Sequence, residues 1–323
     1  MTFLTRRALG LALLAFGGSA LAQARFPDGP LRIIVPFAPG GGVDSAARLI
    51  GKQLSSNLNV PVVVENRPGA NGSVGGKVVQ SAPPDGQTLL FSASTQALTK
   101  QVMANPPYDP LTDFAPVARV GAAPLMMVIS PALPQSKLSE VISAAKQNPD
   151  QWTAALPALG AASHLGTLMF AKEGGLNKLT TVVYKGTAPA LTDVAGGHVQ
   201  IQIDAIVAIQ GMAKAGKVKP IMVTSAKRSP VMPNVPTAIE SGYPRFVTES
   251  WYGMWAPKAT PAERVQVLNK AINEAVGQLA RAGAFEPLGI DPVTESVDEF
   301  RKYMTGYVAE SADLLKSAGF KPE

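Results

Sequence analysis

The chain has 323 residues, 46% hydrophobic and 16% charged, with 30 glycines, 28 prolines and no cysteine. That composition suits one large or two ordinary folded domains rich in tight loops, and it excludes a disordered chain or a disulfide scaffold. The net charge of +6 comes from scattered Lys and Arg with no basic run of five, so a nucleic-acid groove is excluded and only a mild attraction for anions remains.

At the N-terminus, Thr5-Arg6-Arg7 precedes the apolar run Leu9–Phe16, then Ala20-Leu21-Ala22 and Ala22-Gln23-Ala24. A basic start, a short apolar stretch and an A-x-A site predict a cleaved signal peptide over residues 1–24 and export to the periplasm. The apolar run is too short to span a bilayer comfortably. Arg-Arg is common in ordinary leaders, so the general secretory route is expected ahead of the twin-arginine one. Loss of Arg6 and Arg7 takes the charge from +6 to about +4. No cysteine is present to take a lipid, and no later stretch is long and apolar enough for a transmembrane helix. The mature chain is expected to be a freely soluble monomer.

Past the leader, short β-branched runs alternate with helical patterns. Leu31–Val35 reads as a buried strand, and Val43, Ala46, Ala47, Ile50 and Leu54 mark one face of a helix after a glycine loop. Val60–Val64 is the next strand, followed by a turn at Asn66-Arg67-Pro68-Gly69, a short helix from Ser73 and a strand at Thr88–Phe91. The alternation predicts a parallel, doubly wound sheet. It then begins again. Leu125–Ile129 is a strand, and a helix from Leu138, capped by Ser136, stops at Asn148-Pro149. Strands at Trp152–Ala155, Thr181–Tyr184, Val199–Ile203 and Ile221–Thr224 enclose helices starting near Ser163, Thr187 and Ile206. The remainder is mostly two long helices, Pro261–Arg281 and Val297–Lys316, with a weak strand between them.

A helical tail with no complete unit of its own has to pack on an existing domain. We expect it to return to the first. Lobe 1 is then residues 25–120 plus 247–323, and lobe 2 is residues 121–246. The chain crosses between them twice, near Val117–Pro124 and Tyr243–Ser250. Two crossings make a hinge, and a hinge suits closure round a ligand.

The most informative loop is Pro36-Phe37-Ala38-Pro39-Gly40-Gly41-Gly42-Val43-Asp44. It joins a buried strand to a helix, and its glycines allow positive φ and close approach of a ligand to the backbone. A helix N-terminus offers unpaired N–H donors and about half a positive charge, so it favours an anion. No Walker or dinucleotide spacing is present. Asp44, in the first turn, is placed to cap the loop or accept from a ligand. The matching loop in the second unit is Leu159-Gly160-Ala161-Ala162-Ser163-His164-Leu165, with Ser163 as the expected cap and His164 as a cap, a packing residue or a ligand contact. If both units face one cleft, two helix N-termini favour an anion together.

Catalytic patterns are poor. His164 and His198 are the only histidines, no metal spacing or G-x-S-x-G elbow occurs, and no cysteine nucleophile is possible. No enzyme, metal or cofactor is expected. Trp251, Tyr252 and Trp255 form an aromatic cluster suited to core or hinge packing, with room for one ring in the cleft.

Seven segments, in order through nearly the whole mature chain, carry a resemblance: Ile33–Asp44, Val63–Ala70, Ser163-His164-Leu165, Tyr184–Leu191, Val223–Pro230, Val235-Pro236-Thr237 and Trp251–Pro257. The chain resembles the Bug family, the substrate-binding proteins of tripartite tricarboxylate transporters. The resemblance implies an α/β, two-lobed periplasmic-binding-protein fold of type II. It also implies capture of a small organic acid for delivery to integral membrane permease subunits. On matching positions it nominates Phe37, Gly41, Gly42 and Asp44 from one lobe, with Gly40 beside them, and Ser163, Thr187 and Asp204 from the other. Ala162 and His164 share the second loop, and Ser92, Ser94 and Thr95 follow the Thr88 strand towards the same cleft. Family members often carry Ser or Thr where Ala161 stands, and Asn or Thr where Ala205 stands. Two lost donors imply a less polar ligand body, aromatic or longer aliphatic. Three other classes share features of this architecture: a sensory binding protein docking on a membrane kinase, a periplasmic hydrolase and the effector domain of a transcription regulator. The absence of a marked nucleophile–base pair speaks against the second, and the leader with no helix-turn-helix ahead of the first strand against the third.

Overall fold

The computed structural model describes residues 26–323; the signal peptide expected over residues 1–24 lies outside the described residues. In chain order the elements are β1 (Leu31–Val35), α1 (Gly42–Leu58), β2 (Val62–Asn66), α2 (Ser73–Gln80), β3 (Thr88–Ala93) and α3 (Thr99–Val102). Then come β4 (Phe114–Ile129), α4 (Leu138–Gln147), β5 (Thr153–Leu156), α5 (Ala162–Glu173), β6 (Thr180–Val183), α6 (Thr187–Gly196), β7 (Ile201–Ala205), α7 (Ile206–Lys214) and β8 (Lys219–Val223). The chain ends with β9 (Glu249–Pro257), α8 (Ala262–Arg281), β10 (Asp291–Pro292) and α9 (Val297–Ser317).

Strand order runs β2-β1-β3-β9-β4-β7-β5-β6, and the long strand β4 divides it. Residues Phe114–Pro124 pair with β9, whereas Leu125–Ile129 pair with β7 and β8. One strand thus belongs to both sheets. The parallel pairings expected from the alternation hold for β2-β1-β3 and for β7-β5-β6. The strands that carry the chain between the sheets run the other way. β9 is antiparallel to β3 and β4, and β4 is antiparallel to β7.

In the first sheet, successive residues of β1 face opposite layers. Leu31, Ile33 and Val35 join the buried stripe of α1 (Ala46, Ala47, Ile50, Leu54) and the apolar face of α8. Ile34 joins Val79 of α2 and Phe300, Met304 and Val308 of α9 on the other side. The helical tail thus covers both faces of the first sheet. Ser296 and Glu299 form a capping box at the start of α9, satisfying two donors that its first turn leaves open. In the second sheet α4 and α5 cover Ile201 and Ile203, while α6 and α7 contribute Leu191, Val194, Ile206 and Ile209 on the opposite side. Two expected caps differ. The α4 start is Lys137, with the Glu140 carboxylate taking the Ser136 and Lys137 N–H groups. The cap of α5 is Ala161, two residues before Ser163.

No helix among the described residues is long and apolar enough to cross a membrane.

Candidate functional site

Parallel strands that end in helices gather helix N-termini at their carboxyl ends, and here the two sheets bring four of them to one cleft. Gly41 and Gly42 open α1, Ala161 and Ala162 open α5, Gly186 and Thr187 open α6, and Ala205 precedes α7; all line the same wall. None of the four has a side-chain cap among the described residues. Their first N–H groups are therefore free to meet an anion. The cleft holds about 780 Å³ of empty space, counting the part open to solvent. Most of its remaining wall is apolar: Phe37, Pro39, Val43, Ala93, Pro157, Ala158, Pro189 and Ala208. Polar side chains are few, namely Thr95, Lys185, Thr187, Asp204, Ser250 and Tyr252. Lys185 is exposed and has no carboxylate partner among the described residues.

Of the residues nominated from sequence, Phe37, Gly41, Gly42, Thr95, Ala161, Ala162, Thr187 and Asp204 line the cleft. Gly40, Asp44, Ser92, Ser94, Ser163 and His164 do not. Each has a visible reason. Gly40 takes the positive φ of +85° at the turn, whereas Gly41 is extended, with φ −78° and ψ 172°. The conformational need for glycine therefore sits one residue earlier than the N-cap. Ser92 is buried within β3, opposite Gly253 of β9, and Ser94 is buried just beyond that strand. Ser163 is wholly buried in the first turn of α5, its hydroxyl without a partner among the described residues. His164 accepts the Gly160 N–H through Nδ1 at 3.2 Å and meets the Phe320 ring edge-on at 4.9 Å. Burial draws its pKa down to about 4, so it is a neutral brace of the second loop at neutral pH.

Asp44 braces the first loop. Its Oδ2 accepts the Gly40 N–H at 3.0 Å and Arg48 Nε at 3.0 Å, and its Oδ1 accepts Asn66 Nδ2 at 2.9 Å. Asn66 also donates to the Phe37 carbonyl, at 3.0 Å, so the turn after β2 grips the turn after β1. Burial by itself would raise the Asp44 carboxyl, but Arg48, Gly40 and Asn66 outweigh it and hold it below the ordinary value. Stability from this group is therefore present above the ordinary carboxylate range and lost as pH falls through the lowered value. Asp44→Ala is expected to destabilise the protein by about 1–3 kcal/mol, because it removes the charged acceptor of the part-buried Gly40 and Asn66 hydrogen bonds; the half-exposed Arg48 adds little. Urea unfolding at neutral pH measures the loss, which should shrink in acid.

Contacts also cross the cleft. The Asn71 side chain, in a turn where Ala70 and Asn71 both have positive φ (43° and 54°), accepts the Leu159 N–H at 3.3 Å. Val207 of α7 lies directly over Gly42 of α1. On the floor, Asp204 accepts from Thr187, Gln202 and the Ala205 N–H. Tyr252 and Ser250 reach the site from β9, which the sequence marks by its aromatic cluster and its Trp251–Pro257 segment, not as a strand that lines the cleft. Ser250 and Ala208 carry no signal that would single them out in a sequence; Lys185 falls in the Tyr184–Leu191 segment without being nominated, and Tyr252 belongs to the aromatic cluster.

Residues 46–320 match the family model described as tripartite tricarboxylate transporter family receptor. Three solved structures are similar throughout. The periplasmic binding protein BugD is 34% identical, with a TM-score of 0.85 over 92% of this chain and 100% of that one. A Rhodopseudomonas palustris protein with adipate is 33% identical, with a TM-score of 0.88 over 93% and 100%. The MatC protein of Rhodopseudomonas palustris with bound malate is 31% identical, with a TM-score of 0.82 over 90% and 100%. The two-lobed arrangement around the cleft is that of periplasmic binding proteins.

Proposed function

The chain belongs to the tripartite tricarboxylate transporter receptor family, which includes the Bug proteins, and from that premise we propose that it captures a small dicarboxylate and delivers it to the family's membrane permease. The observation that carries this reading is the ring of four uncapped helix N-termini around one mostly apolar cleft. Such a ring favours a carboxylate without any metal or nucleotide. The wall supports a ligand with an apolar body. Ala161 and Ala205 offer no side-chain donors, and alanine, proline and valine fill half of the rest. Between the two diacids held by the similar Rhodopseudomonas palustris proteins, an adipate-like chain suits this wall better than the hydroxylated malate.

Capture proceeds by closure of residues 25–120 with 247–323 against residues 121–246. Support comes from a tie at the two crossings: the Thr224 hydroxyl accepts the Leu125 N–H at 2.8 Å and donates to the Thr248 carbonyl at 2.6 Å. Both crossing strands are thus pinned to one side chain. The leader over residues 1–24 puts the receptor in the periplasm as a soluble monomer.

A melt in the presence of mono- and dicarboxylates tests the reading. A true ligand at about 100 times its Kd adds about 2.7 kcal/mol of stability, and the corresponding neutral amides add none. A screen answered only by sugars or nucleotides overturns it.

A further inference from the structure

At the floor of the cleft the second sheet ends in a carboxylate with no cation beside it. Asp204 is 9% exposed and lines the cleft between the starts of α6 and α7. Its Oδ2 accepts from the Thr187 hydroxyl at 2.6 Å and the Gln202 amide at 3.3 Å, while Oδ1 accepts only the Ala205 N–H, at 2.8 Å. A carboxylate oxygen has two lone pairs, so Oδ2 is filled and Oδ1 keeps one position open. The charged and titratable groups on the elements around it are few. Lys185, before α6, is exposed. Asp44, in α1, is held by Arg48 and Asn66. His164, in α5, is buried and does not line the cleft. The first turn of α7 contains no acidic residue. From β9 comes Tyr252, its hydroxyl buried without a partner among the described residues; burial and the nearby Asp204 push its pKa up.

We infer that Asp204 takes up a proton as the cleft closes on a diacid and donates it, from Oδ1, to one carboxylate of the ligand, so that capture is coupled to uptake of one proton. This rests on the carboxylate reading above. Two carboxylates brought together in a dry site cannot both stay ionised cheaply. Burial already pushes the Asp204 carboxyl above its usual range, against the opposing hydrogen bonds of Thr187, Ala205 and Gln202. In an open cleft, water and those three donors favour the ionised form. Closure removes the water and adds the second anion. The proton then comes from solvent, and it turns the buried acceptor at the cleft floor into a donor for the ligand.

Calorimetric titration of adipate into the full-length mature protein, in two buffers of different ionisation enthalpy, reads the proton directly. Between about pH 7 and about pH 8.5 free adipate is essentially fully ionised, so proton uptake belongs to the complex, and the Asp204 variants assign it. We expect uptake of about one proton, and a Kd that weakens by up to about tenfold per unit as pH rises. Asp204→Asn has the shape and the donor of the protonated acid. It should bind within a few-fold of the parent at the acidic end and show no uptake and no pH slope, whereas Asp204→Ala should bind weakly; circular dichroism confirms that both fold. A flat profile with no proton exchanged overturns the inference. So does an Asn variant that binds as poorly as the Ala variant, because the ligand then needs the ionised carboxylate. Failure of adipate to bind at either pH overturns it too, and the proposed function falls with it only if no diacid in the screen binds.

Discussion

Gly42→Val should cost at least about 100-fold in ligand affinity, or about 2.8 kcal/mol, while leaving the fold intact. Gly42 is the first residue of α1, and its φ is not in the left-handed region, so the backbone there accepts any residue. The obstacle is space. A Cβ at this position would lie 2.6 Å from Cγ1 of Val207, on the facing lobe, and 3.4 Å from the Tyr252 hydroxyl. A valine side chain would hold α7 away from α1, leaving a ligand carboxylate on one lobe with water on its other side. The loss is thus steric and conformational as well as local to the anion. A paired variant separates these terms. Gly42→Ala alone should weaken binding, and adding Val207→Ala should restore most of it, because the next atom of residue 207 is Cβ at 3.8 Å, an ordinary contact distance. Calorimetric titration of the two variants, with circular dichroism to confirm folding, reads the outcome. If the pair binds no better than Gly42→Ala, the glycine serves the ligand directly and Val207 is incidental.

Legibility followed local pattern. The α1 stripe and strands β1, β3, β5 and β7 were readable because their apolar spacing follows the helical or strand period, with turn residues at the ends. The first part of β4 was not, because Pro116, Gly121 and Pro124 look like breaks, and only pairing with β9 makes Phe114–Pro124 a strand. β9 itself is buried on both faces from Ser250 onward, so it shows no alternation and reads as an aromatic cluster. The site was legible to the same extent. Gly41, Gly42, Ala161 and Ala162 lie in loops read as strand-to-helix turns, whereas Thr187 and Asp204 are implied by the family resemblance; all six lie where strands give way to helices, and topology brings those points together. Direction within a first turn is a different matter. Asp44 and Ser163 each lie one position past a residue that lines the cleft, Val43 and Ala162, yet one turns to Arg48 and Asn66 and the other into the core. Of these partners only Arg48, four residues on, lies near Asp44 in sequence; Asn66 and the core around Ser163 do not.

Trp251→Ala should be the most destabilising of the single substitutions considered, at about 3–5 kcal/mol. Strand β9 sends Trp251, Gly253 and Trp255 towards α9, and Tyr252 and Met254 towards α1 and α8. The Phe300 ring sits against the gap left by Gly253, where a Cβ would come within 2.6 Å of it. Trp251 closes on that ring at 5.7 Å, on Tyr303 at 5.6 Å and on Tyr307 at 5.4 Å, each edge-on, and tilts against Trp255 at 6.0 Å. It is wholly buried, so truncation leaves a cavity lined by stiff rings on both elements, which cannot collapse cheaply. The neighbouring position ties this packing to the site. Tyr252, next along the strand, holds its ring near Phe91 at 6.4 Å and lines the cleft. A β9 that shifts to fill the cavity also shifts Tyr252. Urea unfolding should therefore show the stability loss, and titration at a temperature where the variant is still folded should show weaker binding as well. Gly253→Leu, which overfills the same layer, should destabilise through strain instead. A Trp251→Ala loss below about 1 kcal/mol would mean that α9 closes the gap after all, since collapse is what sets the cost of a vacated core position. Binding would then be expected to stay at the parent value only if that closure came from α9 and left β9 where it is.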